Sequence, residues 1–169
     1  MSGRIIDTNV WIAASDKSTC SPECMERCID FLKEFVASSE KLVWDEASFD
    51  THNNPPGNSA YKELKDNLYQ GDYAFDLFNS HFMNHYLFDL IELSYNEEGA
   101  VLDGGIEINQ VELDGIVHPF EPADRKWIAL HLKHSEHPVI YNATDGDWHK
   151  ARQDLQKHGI VVKELVCED

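Results

Sequence analysis

The chain is short of positive charge. Its 169 residues hold 14 Lys and Arg against 31 Asp and Glu, a formal net charge of −17. A protein that binds nucleic acid passively, through a basic footprint, needs the opposite balance. The deficit leaves room for an enzyme that acts on phosphates through divalent ions, because bound ions invert the local potential that a phosphate meets. Long apolar runs are missing as well. No segment approaches the roughly 20 apolar residues of a membrane span, so no membrane association is expected. Asp7 and Asn9 interrupt the first apolar stretch, unlike the core of a secretory signal, and the expected location is cytoplasmic.

Cysteine is also scarce. Cys20, Cys24 and Cys28 recur every fourth residue, which stacks them along one helix, and Cys167 stands far away. A zinc site would add a second matched pair or nearby histidines, and neither is present, so helix-packed free thiols are expected. What the chain does have is a 42% hydrophobic content and a length suited to one domain with a sizeable core.

The apolar patterning alternates between short runs and helical stripes. A strand is expected at Arg4 to Ile6. Ser21 and Pro22 then open a helix carrying Met25, Cys28, Ile29, Leu32, Phe35 and Val36 at helical spacing. "KLVW" reads as a second strand, with Asp45 placed to cap a short helix before the break "NNPPGNS". Tyr61 to Tyr69 and the aromatic segment "YAFDLFNSHFMNHYLFDLIEL" read as helices. Phe75, Phe78, Phe82, Tyr86 and Ile91 of the latter are expected in the core or in the wall of a groove. "GIEINQVELDGI" reads as extended, either a hairpin or an ordered insertion. A helix in "EPADRKWIALHLKH", a strand at Pro138 to Tyr141, a helix from Trp148 to His158 and a strand in "GIVVKEL" complete the chain. Short β-branched strands separated by helices predict an α/β fold with a mostly parallel sheet.

Ligands in such folds collect outside the carboxyl ends of the strands. Asp7 follows the first expected strand, and Asp145 and Asp147 follow the strand ending at Tyr141. Asp124 opens the helix before that strand, where it can turn over the same edge. Singly, each has an ordinary explanation as a turn former, or as a first-turn acid favoured by the helix dipole. Together they form one cluster from three distant parts of the chain. Clustered carboxylates repel and raise one another's pKa, and a hard divalent cation such as Mg²⁺ relieves that repulsion.

Three stretches carry a resemblance: "IIDTNVWIAA" (5–14), "FEPADRKWIALHL" (120–132) and "VIYNATDGDWHKARQDLQKHGIVV" (139–162). Together they resemble the PIN domain, a family of Mg²⁺- or Mn²⁺-dependent ribonucleases. The likeness covers the first and last quarters of the chain, and 55–118 is the least family-like part of a single domain spanning 1–169. It implies a three-layer α/β/α fold with a sheet of four or five strands. Asp7, Asp124 and Asp145 would be the metal-binding acids, with Asp147 a further ligand or outer-shell group. Asn9 would support Asp7 by hydrogen bonding, and Thr144 would orient the cluster or contact phosphate.

The family also places an acid on the helix after the second strand. Asp50 lies nearest that turn, with Glu46 a turn early and His52 an alternative; with no acid there, the site would bind one ion weakly or be inactive. The implied activity is hydrolysis of single-stranded RNA, leaving a 5′-phosphate and a 3′-hydroxyl. Arg125, Lys126, Lys150 and Arg152 are candidates to contact flanking phosphates, their ordinary reading being solvated helix surface. The implied partners are an antitoxin or other regulatory protein, and a second copy of the chain. Two other functions stay open: a binding module that keeps the fold without the chemistry, and phosphoryl transfer through an aspartyl intermediate. The latter usually wants an acid where Asn9 stands.

Overall fold

Four residues, Gly3–Ile6, form β1 at the centre of the sheet, and Ile5 and Ile6 have no exposed surface. A computed structural model describes residues 3–15, 19–46, 60–82, 85–95, 101, 110–113, 116–119 and 122–165. Within these, 82, 85, 110–113, 116–119, 122–123, 147, 150, 152 and 154 are described by their backbone alone. β1 lies between β2 (Lys41–Asp45) and β6 (Ile140–Asn142). β3 (Phe88–Ile91) and β7 (Val162–Glu164) are the edges, giving the order β3-β2-β1-β6-β7 with every pairing parallel. Strands buried on both faces need apolar residues in succession, which is why these read as short apolar runs. At Gly3 an added Cβ would stand 2.6 Å from Val43 Cγ2, so β1 meets β2 where only glycine fits.

Helices α1 (Thr8–Ala13) and α2 (Pro22–Ser38) follow β1, and α3 (Ala60–Asn67) and α4 (Tyr73–Phe82) follow β2. α5 (Pro122–Lys133) precedes β6, and α6 (Gly146–Lys157) joins β6 to β7. Crossovers between parallel strands are right-handed, so α2, α3 and α4 cover one face and α5 and α6 the other. The result is a three-layer α/β/α architecture around a five-stranded sheet; the apolar patterning predicts its parallel α/β character, and the resemblance implies the three layers and the strand number. Ser21 caps α2, its Oγ accepting from the Cys24 N–H at 3.2 Å, with Pro22 in the first turn. All four tryptophans are fully buried, and Phe78 stands between Trp11 and Trp44 with ring centroids 5.4 Å from each.

Two expectations need correction. The aromatic segment is not one helix: α4 ends at Phe82, a 3-10 turn spans His85–Leu87, and β3 follows. The reason is tertiary. β3 is made by its parallel pairing with β2, and a short apolar run looks the same in a helix and in a strand. Tyr86 is 88% exposed rather than in the core, whereas Phe78 is buried and Phe75 and Ile91 pack against the core. Asp45 stands directly before a 3-10 turn that opens at Glu46, and the residues it would cap lie outside the described ones. It ends β2 fully buried, accepting a hydrogen bond from Tyr95 Oη at 2.5 Å.

The extended segment does contain a hairpin, formed by β4 (Gln110–Leu113) and β5 (Ile116–Pro119), which packs on α6. Cys24 and Cys28 are buried on α2 as the spacing predicts, and Cys20 and Cys28 are free thiols. Burial, with a smaller contribution from nearby Cys20, pushes the Cys28 thiol up to about 12, which makes it inert. Cys24 departs from expectation, because it is disulfide-bonded.

Candidate carboxylate site

β1 and β6 are neighbours, but the chain leaves them in opposite directions, β1 towards β2 and β6 towards β7. Their carboxyl ends therefore open a crevice at the topological switch point of the sheet. Asp7 stands at its lip. Its backbone N–H donates to the Tyr141 carbonyl at 3.1 Å, continuing the β1–β6 ladder, and its φ/ψ of −59°/144° turns the chain into α1. Capping fixes the carboxylate: Oδ1 accepts from the Asn9 N–H at 3.1 Å and Oδ2 from Trp148 Nε1–H at 2.8 Å.

Asp145 reaches the same point from β6 through an asparagine clasp. Asn142 Oδ1 accepts from the Asp145 N–H at 3.2 Å, and Asn142 Nδ2 donates to the Asp145 carbonyl at 3.0 Å. Asn9 locks that loop to β1, donating from Nδ2 to Asn142 Oδ1 at 2.7 Å and accepting from the Ala143 N–H at 2.8 Å. Asn9 thus supports Asp7 through its backbone, while its side chain holds the opposite loop. Asp124 arrives in the first turn of α5, where the helix dipole favours an anion. One carboxylate oxygen from each of Asp7, Asp124 and Asp145 lies within 4.8 Å of the others.

This proximity has an electrostatic cost. Burial pushes the Asp7 carboxyl up from an ordinary 3.8 to about 6, against the opposing effects of the Asn9 N–H, the Lys126 charge and the Trp148 donor. Asp124 is pushed up to about 8, first by burial and then by the charges of Asp7 and Asp145. Both shifts favour the proton form relative to a free carboxyl, and a cation among the acids would oppose them. The donor set is all oxygen, anionic and recessed, which fits a hard divalent ion and offers nothing to a soft one.

One residue of the surroundings escaped the sequence, and another was given a different role. Glu63, on α3, places Oε2 2.8 Å from Lys126 Nζ and 2.9 Å from Thr8 Oγ1, and its charge raises both Asp7 and Asp124. It is an acid on the helix after β2, reached by a longer connection than expected. Its only signal was its position beside Ala60 and Leu64, both buried. Lys126 is not solvated helix surface: its side chain is fully buried, paired with Glu63 and 4.7 Å from the Trp127 ring centroid. Asn142 and Trp148 also carry more than their motif suggested, since one sets the Asp145 loop and the other holds Asp7.

The remaining expected residues fare differently. Glu46 follows β2 and is exposed, and Asp50 and His52 lie outside the described residues. Thr144 is exposed beside the cluster, and Arg125 is half-buried in α5. The side chains of Asp147, Lys150 and Arg152 lie outside the described residues, although their backbones belong to α6.

A second recess of about 370 Å³ lies between β3 and the end of α5, lined by Asp89, Ile91, Lys133, His134, Ser135 and Glu136. His134 Nε2 donates to Asp89 Oδ2 at 2.5 Å, and its Nδ1 accepts from the Glu136 N–H at 3.1 Å. Both ring nitrogens are engaged, so this histidine has no free lone pair to act as a base.

Fold and site together define a class: a three-layer α/β/α protein with a carboxylate cluster at the switch point of a parallel sheet, compatible with a metal site. That arrangement is consistent with PIN domains and not specific to them. No protein-family model, curated protein or solved structure matches the chain.

Proposed function

We propose that this protein is a metal-dependent ribonuclease that hydrolyses phosphodiester bonds in single-stranded RNA, with Mg²⁺ or Mn²⁺ held by Asp7, Asp124 and Asp145. The observation that carries the reading is the meeting of these three acids, from separate segments, within 4.8 Å at the switch point. When bound, a divalent ion at such a site supplies Lewis acidity towards a phosphoryl oxygen and activates water. The chain's own part is positional. Trp148 and the Asn9 N–H hold the two oxygens of Asp7, and the Asn9–Asn142 clasp sets the Asp145 loop. Asp147 stands in sequence to add a further ligand, and Arg125 at the head of α5 to meet a flanking phosphate. A cytoplasmic setting goes with that substrate.

A second reading, a PIN-like binding module without catalysis, draws on one observation: Glu63 is engaged by Lys126, leaving three carboxylates in the cluster among the described residues. One experiment separates the two. Purified protein is assayed on single-stranded RNA, structured RNA and DNA with added Mn²⁺, while thermal stability is followed with and without the ion. The ribonuclease reading expects cleavage of single-stranded RNA that Asp7→Asn abolishes with the fold intact. A Mn²⁺-dependent rise in melting temperature without cleavage would favour the module. Cleavage unchanged in purified Asp7→Asn would sink the assignment of the site.

A further inference from the structure

Lys126 sits awkwardly for a lysine. Its side chain is fully buried, and a buried ammonium is tolerated only where it is paired. Its partner is Glu63 Oε2 at 2.8 Å, and the ammonium lies 4.7 Å from the centroid of the buried Trp127 ring. The same Glu63 oxygen is 2.9 Å from Thr8 Oγ1, one residue from Asp7. Glu63 therefore borders the acid cluster without joining it. The three oxygens that lie within 4.8 Å of one another come from Asp7, Asp124 and Asp145.

We propose that Lys126 is a built-in counter-ion that takes the place of a second metal, tying Glu63 away from the aspartates and restricting the site to one divalent ion. This rests on the metal-site reading given above. Two-metal sites hold ions about 3.5–4 Å apart and need carboxylates that can face both. Among the described residues, the carboxylate that borders the cluster, Glu63, is committed to an ammonium whose stem is packed in the core beneath α5. Lys126 also offsets part of the negative charge on Asp7 and Asp124. It is a positioning residue, acting through Glu63 and through the field at the aspartates.

The test reads metal stoichiometry, not activity. The full chain is titrated with Mn²⁺, free ion being followed by electron paramagnetic resonance and heat by calorimetry. Wild type is expected to take up one Mn²⁺ per chain. Lys126→Gln frees Glu63 and is expected to take up two. In EDTA its melting temperature should fall by roughly 5–10 °C, with the larger share of that loss restored by Mn²⁺. The double variant Lys126→Gln/Glu63→Gln should return to one ion, and Glu63→Gln alone should stay at one, with affinity within about threefold of wild type. Two ions on the wild type would overturn the proposal even if Lys126→Gln does not fold, and so would a single ion on a folded Lys126→Gln; either leaves the metal site itself standing. A wild-type chain that binds no Mn²⁺ would instead remove the metal site, and this proposal with it.

Discussion

The most informative side chain in the molecule is Asp7, whose two oxygens are held by different elements, the start of α1 and the Trp148 indole of α6. Hydrogen bonds to a charged acceptor are worth about 1.5–3 kcal/mol each. Trp148→Phe keeps most of the buried ring and removes the donor. It should therefore cost about that much in urea unfolding at pH 8, and less at pH 5, where Asp7 is largely protonated. Asp7 and Asp124 also set a pH dependence. Their folded pKa values, about 6 and about 8, lie above the ordinary 3.8, so the folded chain binds more protons than the unfolded one between those limits. Their contribution to stability is full below about pH 4 and is lost as pH rises through about 6 and then about 8. Melting temperature in EDTA should fall across that window, and Asp124→Asn should flatten its upper half. Mn²⁺ binding near pH 7 should release close to one proton per ion, read from calorimetry in buffers of different ionisation enthalpy.

Among the elements, the β1–α1 and β6–α6 connections decide the site, and one pair of asparagines joins them. Asn142 makes three hydrogen bonds, to Asn9 and to both backbone groups of Asp145, while buried at the end of β6. Asn142→Ala leaves these donors and acceptors without a partner, which should cost about 1–3 kcal/mol in urea unfolding. It should also weaken Mn²⁺ binding about tenfold, since support of this kind is typically worth 10- to 100-fold in metal affinity. If Mn²⁺ affinity holds while stability falls, the clasp is structural only. The elements themselves were largely legible: Ser21-Pro22 marked the start of α2, and short apolar runs marked β1, β2 and β6. β3 was not legible, because its identity comes from pairing with β2 and its sequence continues an aromatic stripe already read as helix. Glu63 was missed for a related reason. The acid was sought close behind β2, whereas the chain runs on from Glu46 to Ala60 before α3 delivers it.

At the scale of the whole molecule, a net charge of −17 governs how RNA could approach. Without a divalent ion the field repels a phosphate backbone, and lowering the salt lengthens the reach of that repulsion. Fluorescence anisotropy with labelled single-stranded RNA should accordingly show no binding in EDTA at any ionic strength. Binding that strengthens in EDTA as salt falls would point to a basic surface and against a metal-dependent approach. The sequence alone determined the fold class, the parallel character of the sheet and the three aspartates, because buried strands, helix caps and acids after strands leave local patterns. Tertiary structure decided the rest. It placed Asp7 and Asp145 across the switch point, gave Asp7 to Trp148, and buried Lys126 against Glu63. None of these pairings is local: the partners lie far apart along the chain and meet only when the helices close over the carboxyl edge of the sheet.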